Sequence, residues 1–117
     1  MPTPIEIRLK RAERRLDVAF DDGSRFAFPA ELLRVDSPSA EVQGHSPAER
    51  RLVPGKRHVA IAGLEPVGHY AIRLIFDDGH DTGIFSWDWL YRLGQEQDRR
   101  WRDYLDALAA KGLSRDP

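Results

Sequence analysis

One short segment occurs twice in this chain, and the repetition restricts the fold more than any other feature. Val18-Ala19-Phe20-Asp21-Asp22-Gly23 leads to Phe28-Pro29-Ala30-Glu31-Leu32-Leu33, and Leu74-Ile75-Phe76-Asp77-Asp78-Gly79 leads to Phe85-Ser86-Trp87-Asp88-Trp89-Leu90. The offset is 56 residues through the turn (18 to 74) and 57 afterwards (28 to 85), so the second copy holds one extra residue near Thr82. Asp-Gly between alternating runs marks a tight hairpin, because glycine adopts the positive φ that such turns require. Each copy therefore reads as two antiparallel strands followed by a short helix. Two such units predict an α+β fold: antiparallel β-hairpins in a small mixed domain, with short helices and a C-terminal amphipathic helix.

The remaining elements follow from local pattern. Ile5 to Leu9 alternates as a first strand, before a basic turn through Lys10, Arg11, Arg14 and Arg15. Leu16–Phe20 and Arg25–Phe28 form the first hairpin, and Pro29 opens a helix that ends by about Asp36. Ser37 to Gly55 is rich in Ser, Pro and Gly and reads as a long ordered loop, with a helical turn possible over 48–52. Strands are expected at Arg57–Ala62, Tyr70–Phe76 and Thr82–Phe85, with Gly63–Gly68 as a connection around Pro66. In the Tyr70 strand, Tyr70, Ile72, Leu74 and Phe76 share the face expected to be buried. Ser86 suits the N-cap of a helix over Trp87–Leu93 that Gly94 stops. Gln95 to Lys111 forms the amphipathic helix, Gly112 caps it, and Ser114 to Pro117 are expected to fray.

The chain has 117 residues, enough for one domain spanning 1–117, with a core over about 5–93 and the last helix over about 95–111. It carries 18 Lys plus Arg against 19 Asp plus Glu and has no Cys. A net charge of -1 supplies no global field toward nucleic acid or an anionic membrane. The absence of Cys excludes disulfides, thiol catalysis and thiolate metal sites. No apolar run approaches a membrane span and no signal-peptide core follows Met1, so the expectation is a cytoplasmic domain.

Candidate chemistry is sparse. Asp21-Asp22 and Asp77-Asp78 are paired carboxylates, but each precedes Gly, so turn capping accounts for them without a cation site. His45, His58, His69 and His80 are the possible nitrogen ligands, and none has the i, i+4 spacing of a helical metal pair. His58 and His69 flank a hairpin, whereas His45 in the irregular loop and His80 after a turn face open space. No phosphate loop or nucleophile motif occurs. The groups Arg11/Arg14/Arg15, Arg50/Arg51 and Arg99/Arg100/Arg102 are interleaved with Glu13, Glu49, Asp98 and Asp103, which reads as solvated mixed-charge faces rather than a nucleic-acid surface.

The run Leu33-Arg34-Val35-Asp36-Ser37-Pro38-Ser39-Ala40-Glu41-Val42, then Phe76-Asp77-Asp78-Gly79-His80 and Phe85-Ser86-Trp87-Asp88-Trp89-Leu90, resembles the gamma-butyrobetaine hydroxylase-like N-terminal domain, formerly a domain of unknown function. The resemblance covers about Ile5 to Leu93. In the large hydroxylases of that family the domain precedes a 2-oxoglutarate oxygenase domain and binds zinc through Cys-Pro-Cys-x-x-Cys and the His of Asp-Gly-His. Other members are fused to Mrp-type ATPases that handle iron–sulfur clusters, and this chain looks like a small stand-alone bacterial member. Ser37, Ser39 and Val42 occupy the three thiolate positions, and only His80 keeps a ligand type. The resemblance thus implies a lost zinc site, no cofactor and no hydroxylase activity.

Two readings follow. The first is a non-catalytic accessory or protein-interaction module with an unidentified protein partner, no nucleic acid and no membrane. Its contact surface is expected at Ser37, Ser39, Glu41, His45 and His80, on the loop beside the Asp-Gly-His edge. The second is an iron- or zinc-binding accessory protein linked to iron–sulfur or oxygenase systems, with Asp36, Glu41, His45 and His80 converging as ligands. A polar network in place of the zinc is the favoured form of that cluster.

Overall fold

The computed structural model describes residues 2–117. The chain folds as an α+β domain of two three-stranded antiparallel sheets. Strands β1 (Pro4–Lys10), β2 (Arg15–Phe20) and β3 (Arg25–Pro29) form one sheet, in that order, and lead into helix α1 (Ala30–Val35). Strands β4 (Ile61–Val67), β5 (Ala71–Phe76) and β6 (Gly83–Ser86) form the other and lead into helix α3 (Trp87–Ala110). Helix α2 (Ala40–Gln43) and a 3₁₀ turn (Pro47–Glu49) lie between the halves.

The repeat extends to individual backbone bonds. The Phe20 amide donates to the Ser24 carbonyl (2.8 Å) and the Phe76 amide to the His80 carbonyl (3.0 Å). Gly23 and Gly79 sit at φ 89° and 90°, the left-handed conformation the Asp-Gly turns require. Asp21 accepts from the Thr3 amide at 3.1 Å and Asp77 from the Ala60 amide at 3.0 Å. The paired acids thus act as backbone acceptors at equivalent places in the two halves. Even the irregularities match, with a register shift between Pro4 and Glu6 in β1 and between Ile61 and Gly63 in β4.

Alternation along the central strands turns Leu16, Val18 and Phe20 inward from β2, and Ile72, Leu74 and Phe76 inward from β5. With Phe28, Leu33, Phe85, Leu90 and Leu93 they form a single core shared by both sheets. Each fully buried side chain of this size contributes about 1.5–3 kcal/mol of transfer free energy. A smaller cluster of Val35, Tyr104 and Leu108 fastens the far end of α3.

Several elements differ from the sequence expectation. The fourth strand spans 61–67 instead of 57–62 and runs through Pro66, which an edge strand tolerates because its missing N–H faces no partner strand. Tyr70 is 59% exposed, since β5 begins only at Ala71 and Tyr70 belongs to the preceding turn. Gly94 does not end a helix: α3 runs unbroken through it, and a Cβ there would collide with the ring of Phe26. The glycine is a seat for that ring, not a stop. The helical turn of the long loop lies at 47–49 rather than 48–52, and α2 adds another that the Ser-Pro-Ser composition hides. The C-terminal residues are pinned. Gly55 and Arg57 donate backbone bonds to the Ser114 and Arg115 carbonyls (both 2.9 Å), while the Arg115 guanidinium forks onto Glu31 at 2.7 and 2.8 Å.

Candidate functional site

Helix α1 ends at Asp36, whose amide closes the last turn on the Leu32 carbonyl (3.0 Å). The chain then turns back toward the β5–β6 connection. Ser39 caps α2, its Oγ accepting from the Glu41 amide at 3.1 Å. This cap aims Glu41 and Val42 in different directions, Val42 into the core and Glu41 toward His80.

His80 lies beneath this segment, 5% exposed. Its Nδ1 is 2.9 Å from Glu41 Oε2 and its Nε2 is 3.0 Å from Ser37 Oγ. In the neutral ring the complementary assignment has Nδ1–H donating to Glu41 and the Ser37 hydroxyl donating to Nε2. Ser37 Oγ also accepts from the Ser39 amide at 3.2 Å, and Gln43 Nε2 donates to the Ser37 carbonyl at 2.8 Å. Ser39 Oγ pairs with Thr82 Oγ1 at 2.6 Å. Three side-chain contacts therefore staple residues 37–41 to residues 80–82.

Ser37, His80 and Glu41 have the connectivity of a serine–histidine–carboxylate triad, but not its access. Ser37 is fully buried, and a Cβ at Gly83 would come within 2.5 Å of its Oγ, so nothing of substrate size reaches the hydroxyl. The hydroxyl is a packed structural group.

The adjoining acid is equally occupied. Asp78 Oδ1 accepts from the His80 amide at 3.1 Å, and Oδ2 lies 2.7 Å from Arg34 and 2.6 Å from Lys56. Burial by itself would raise its pKa, but the bonds from Lys56, the His80 amide and Arg34 outweigh it and hold the carboxyl down at about 2. Arg34 Nη1 is buried without a hydrogen-bond partner.

The residues expected to converge divide into separate places. Glu41 and His80 meet. Asp36 faces away from them, its carboxylate 2.5 Å from Arg50 and 3.2 Å from Arg100. His45 is exposed, and its backbone amide donates to Glu49 at 2.8 Å. Among the described residues no three His, Asp or Glu side chains gather as a metal site. The zinc of the large hydroxylases would meet no matching donor set: Ser37 and Ser39 hydroxyls stand where thiolates would, Val42 has no donor, and both His80 nitrogens are engaged. The expected contact surface also needs correction. Ser37, Ser39 and His80 are buried, and of the five residues only Glu41 and His45 lie at the surface.

Thr82, Gln43 and Lys56 belong to the site although sequence reasoning assigned them no role. The one available signal was the extra residue of the second repeat, which follows His80, the counterpart of Ser24. Trp89 also contributes from α3, its indole N–H donating to the Asp36 carbonyl at 3.3 Å.

The family model for the N-terminal domain of gamma-butyrobetaine hydroxylase-like proteins matches residues 7–91. Two solution NMR structures are similar over 100% of this chain. One is 49% identical with a TM-score of 0.87 and is covered over 92% of its length; the other is 48% identical, with a TM-score of 0.85 and 87% coverage. A crystal structure from Acidithiobacillus ferrooxidans, of a protein with unknown function in the DUF971 family, is 41% identical with a TM-score of 0.67. There the match covers 79% of this chain and 92% of that one. No curated protein matches.

Proposed function

The chain belongs to the gamma-butyrobetaine hydroxylase-like N-terminal family, and from that membership we propose that it is a non-catalytic accessory domain that recognises a protein partner. The observation that carries this reading is the staple itself. Ser37 and His80 spend their hydrogen-bonding capacity on each other, on one oxygen of Glu41 and on the loop backbone, so they hold a recognition loop in shape. A rigid scaffold with an ordered, exposed loop is a common arrangement for recognition. Glu41, His45 and the segment that follows are the exposed part of that loop. The same reading assigns the domain to the cytoplasm; no helix among the described residues is long and apolar enough to cross a membrane.

The test is cross-linking of the full chain in cell extract, with the cross-linked residues mapped by mass spectrometry. Cross-links to one partner are expected within residues 37–55. A His45→Glu variant should weaken them while keeping its fold, and His80→Ala should lose them through a disordered loop. A partner set unchanged by both variants would overturn the proposal. Zinc or iron at one per chain in protein purified without a histidine tag would overturn the hydrogen-bonded staple.

A further inference from the structure

The loop and helix α3 enclose a groove of about 560 Å³, separate from the His80 staple. Arg50 and Arg51 line it from the loop, and Arg99 and Arg100 from the helix. Val35, Leu52 and Tyr104 contribute apolar surface. We infer that this groove binds an acidic peptide segment of a partner protein, with carboxylates on the arginine rim and an apolar side chain between them. The inference rests on the interaction-module reading and specifies the face and the partner chemistry.

Two carboxylates, Asp36 and Asp103, line the groove against the four guanidinium groups. The Asp36 side chain is only 6% exposed, beneath Arg50 and Arg100, so it positions those cations more than it presents its own charge. Each guanidinium carries five donors. Arg50 gives one to Asp36, Arg99 bonds to Glu96 and Asp103, and Arg100 bonds to Glu96 and Asp36. Arg51 pairs with no acid among the described residues, and Arg50 and Arg99 are about half exposed. Unused donors of Arg50, Arg99 and Arg100 therefore belong to side chains already held by acids, which lowers the cost of ordering them on a ligand, while Arg51 is free to pair. Such donors match carboxylates bidentately.

The volume is in the range of pockets that enclose a small ligand or a few side chains. A nucleic acid fits less well. The chain as a whole carries a net charge of -1, and the one ring among the apolar lining groups, Tyr104, is 9% exposed with its hydroxyl donating to the Val53 carbonyl at 2.6 Å. It offers no stacking face.

Amide NMR titration of the full chain tests the inference. The probes are three acetylated, amidated hexapeptides alternating Glu-Leu, Ser-Leu or Lys-Leu, and a hexathymidylate. Saturable shifts confined to the groove lining, residues 32–36, 47–53 and 99–107, are expected with the Glu-Leu peptide, at an affinity at least about tenfold above the other probes. Binding should weaken as salt rises from about 0.05 to about 0.5 M. Arg51→Glu/Arg99→Glu should weaken it at least about tenfold, an unchanged amide spectrum outside the groove showing that the fold survives. Should the double variant unfold, Arg51→Glu alone carries the test, because Arg51 holds no ion pair. Equal binding of the Ser-Leu or Lys-Leu peptide, preference for the oligonucleotide, shifts elsewhere, or no saturation at millimolar peptide would each overturn the inference. Failure here while the loop variants still lose their partner removes the groove alone; failure of both removes the interaction reading too.

Discussion

Ser24 and His80 follow the same Asp-Asp-Gly turn and end in different surroundings. In the first repeat the strand resumes at once with Arg25, and the turn stays at the surface with the Ser24 amide capped by Asp22 at 2.9 Å. In the second repeat His80 takes the place of Ser24, the one extra residue of this repeat follows it before the strand resumes, and the His80 ring lies beneath the loop after α1. The second aspartate of each turn is held from across the molecule. Tyr91 of α3 donates to Asp22 at 2.6 Å, and Arg34 of α1 donates to Asp78 at 2.7 Å. Arg34 and Tyr91 are themselves related by the 57-residue offset (34 to 91). Each repeat's helix therefore clamps the other repeat's turn, and only the second turn carries a side chain, His80, that bonds to the loop after α1.

If the two halves are equivalent as frame, their central phenylalanines should count equally. Phe20→Ala and Phe76→Ala, both at fully buried positions, are each expected to destabilise the domain by about 3–5 kcal/mol in chemical denaturation. A difference well beyond 1 kcal/mol would show that one half dominates. The turns should then separate. His80→Ala is expected to cost about 2–3 kcal/mol, because it strands the buried Ser37 hydroxyl, whereas Ser24→Ala should lie within about 0.5 kcal/mol of wild type. Hydrogen exchange should show the loss of protection at 37–43 alone, and equal costs at the two positions would break the contrast.

A third comparison uses pH. The folded pKa of Asp78 is lowered to about 2 from an ordinary 3.8, so its contribution is present above pH 4 and is lost as pH falls through 2. After allowance for solvent screening this amounts to about 1–2 kcal/mol, and Asp78→Asn should remove the difference between the wild-type stabilities at pH 5 and pH 2 to that extent. Asp22 is also lowered, first by the Tyr91 hydroxyl and then by the Ser24 amide, but it is open to solvent, so Asp22→Asn should flatten the same profile less. A last contrast concerns the seat of Phe26. Alanine for glycine inside a helix ordinarily stabilises by about 1 kcal/mol, yet Gly94→Ala is expected to destabilise by about 1 kcal/mol, since the Phe26 ring fills the space of the new methyl group. A stabilised Gly94→Ala would mean that the ring moves aside freely.

Much of the frame is legible in local pattern. Asp-Gly turns, period-two alternation and the Ser86 cap act between residues a few positions apart, and the structure carries all three, including Ser86 Oγ accepting from the Trp89 amide at 3.1 Å. Pro66 and Gly94 mislead for the same local reason. Each is a breaker in isolation, and each is tolerated because of what lies beside it: an open sheet edge in one case, the Phe26 ring in the other. For the site, the family resemblance is what placed His80 beside the Ser37 loop. The division of the expected cluster, with Glu41 at His80, Asp36 at the arginines and His45 in solvent, had no local signal.

The boundary between the two kinds of information is sequence separation. Residue order alone established the repeated hairpin–helix units, the α+β class and the lack of thiolates at positions 37, 39 and 42, because these are properties of composition and of neighbours along the chain. Tertiary packing decided that Ser37 and His80, 43 residues apart, share a hydrogen bond, and that Asp36 and Arg100, 64 apart, share a salt bridge. It also gathered four arginines, interleaved with acids along the chain, around one groove. Which charged and polar groups meet depends on how two half-domains bury a common core, and that is set by the whole set of apolar contacts rather than by any segment of the chain.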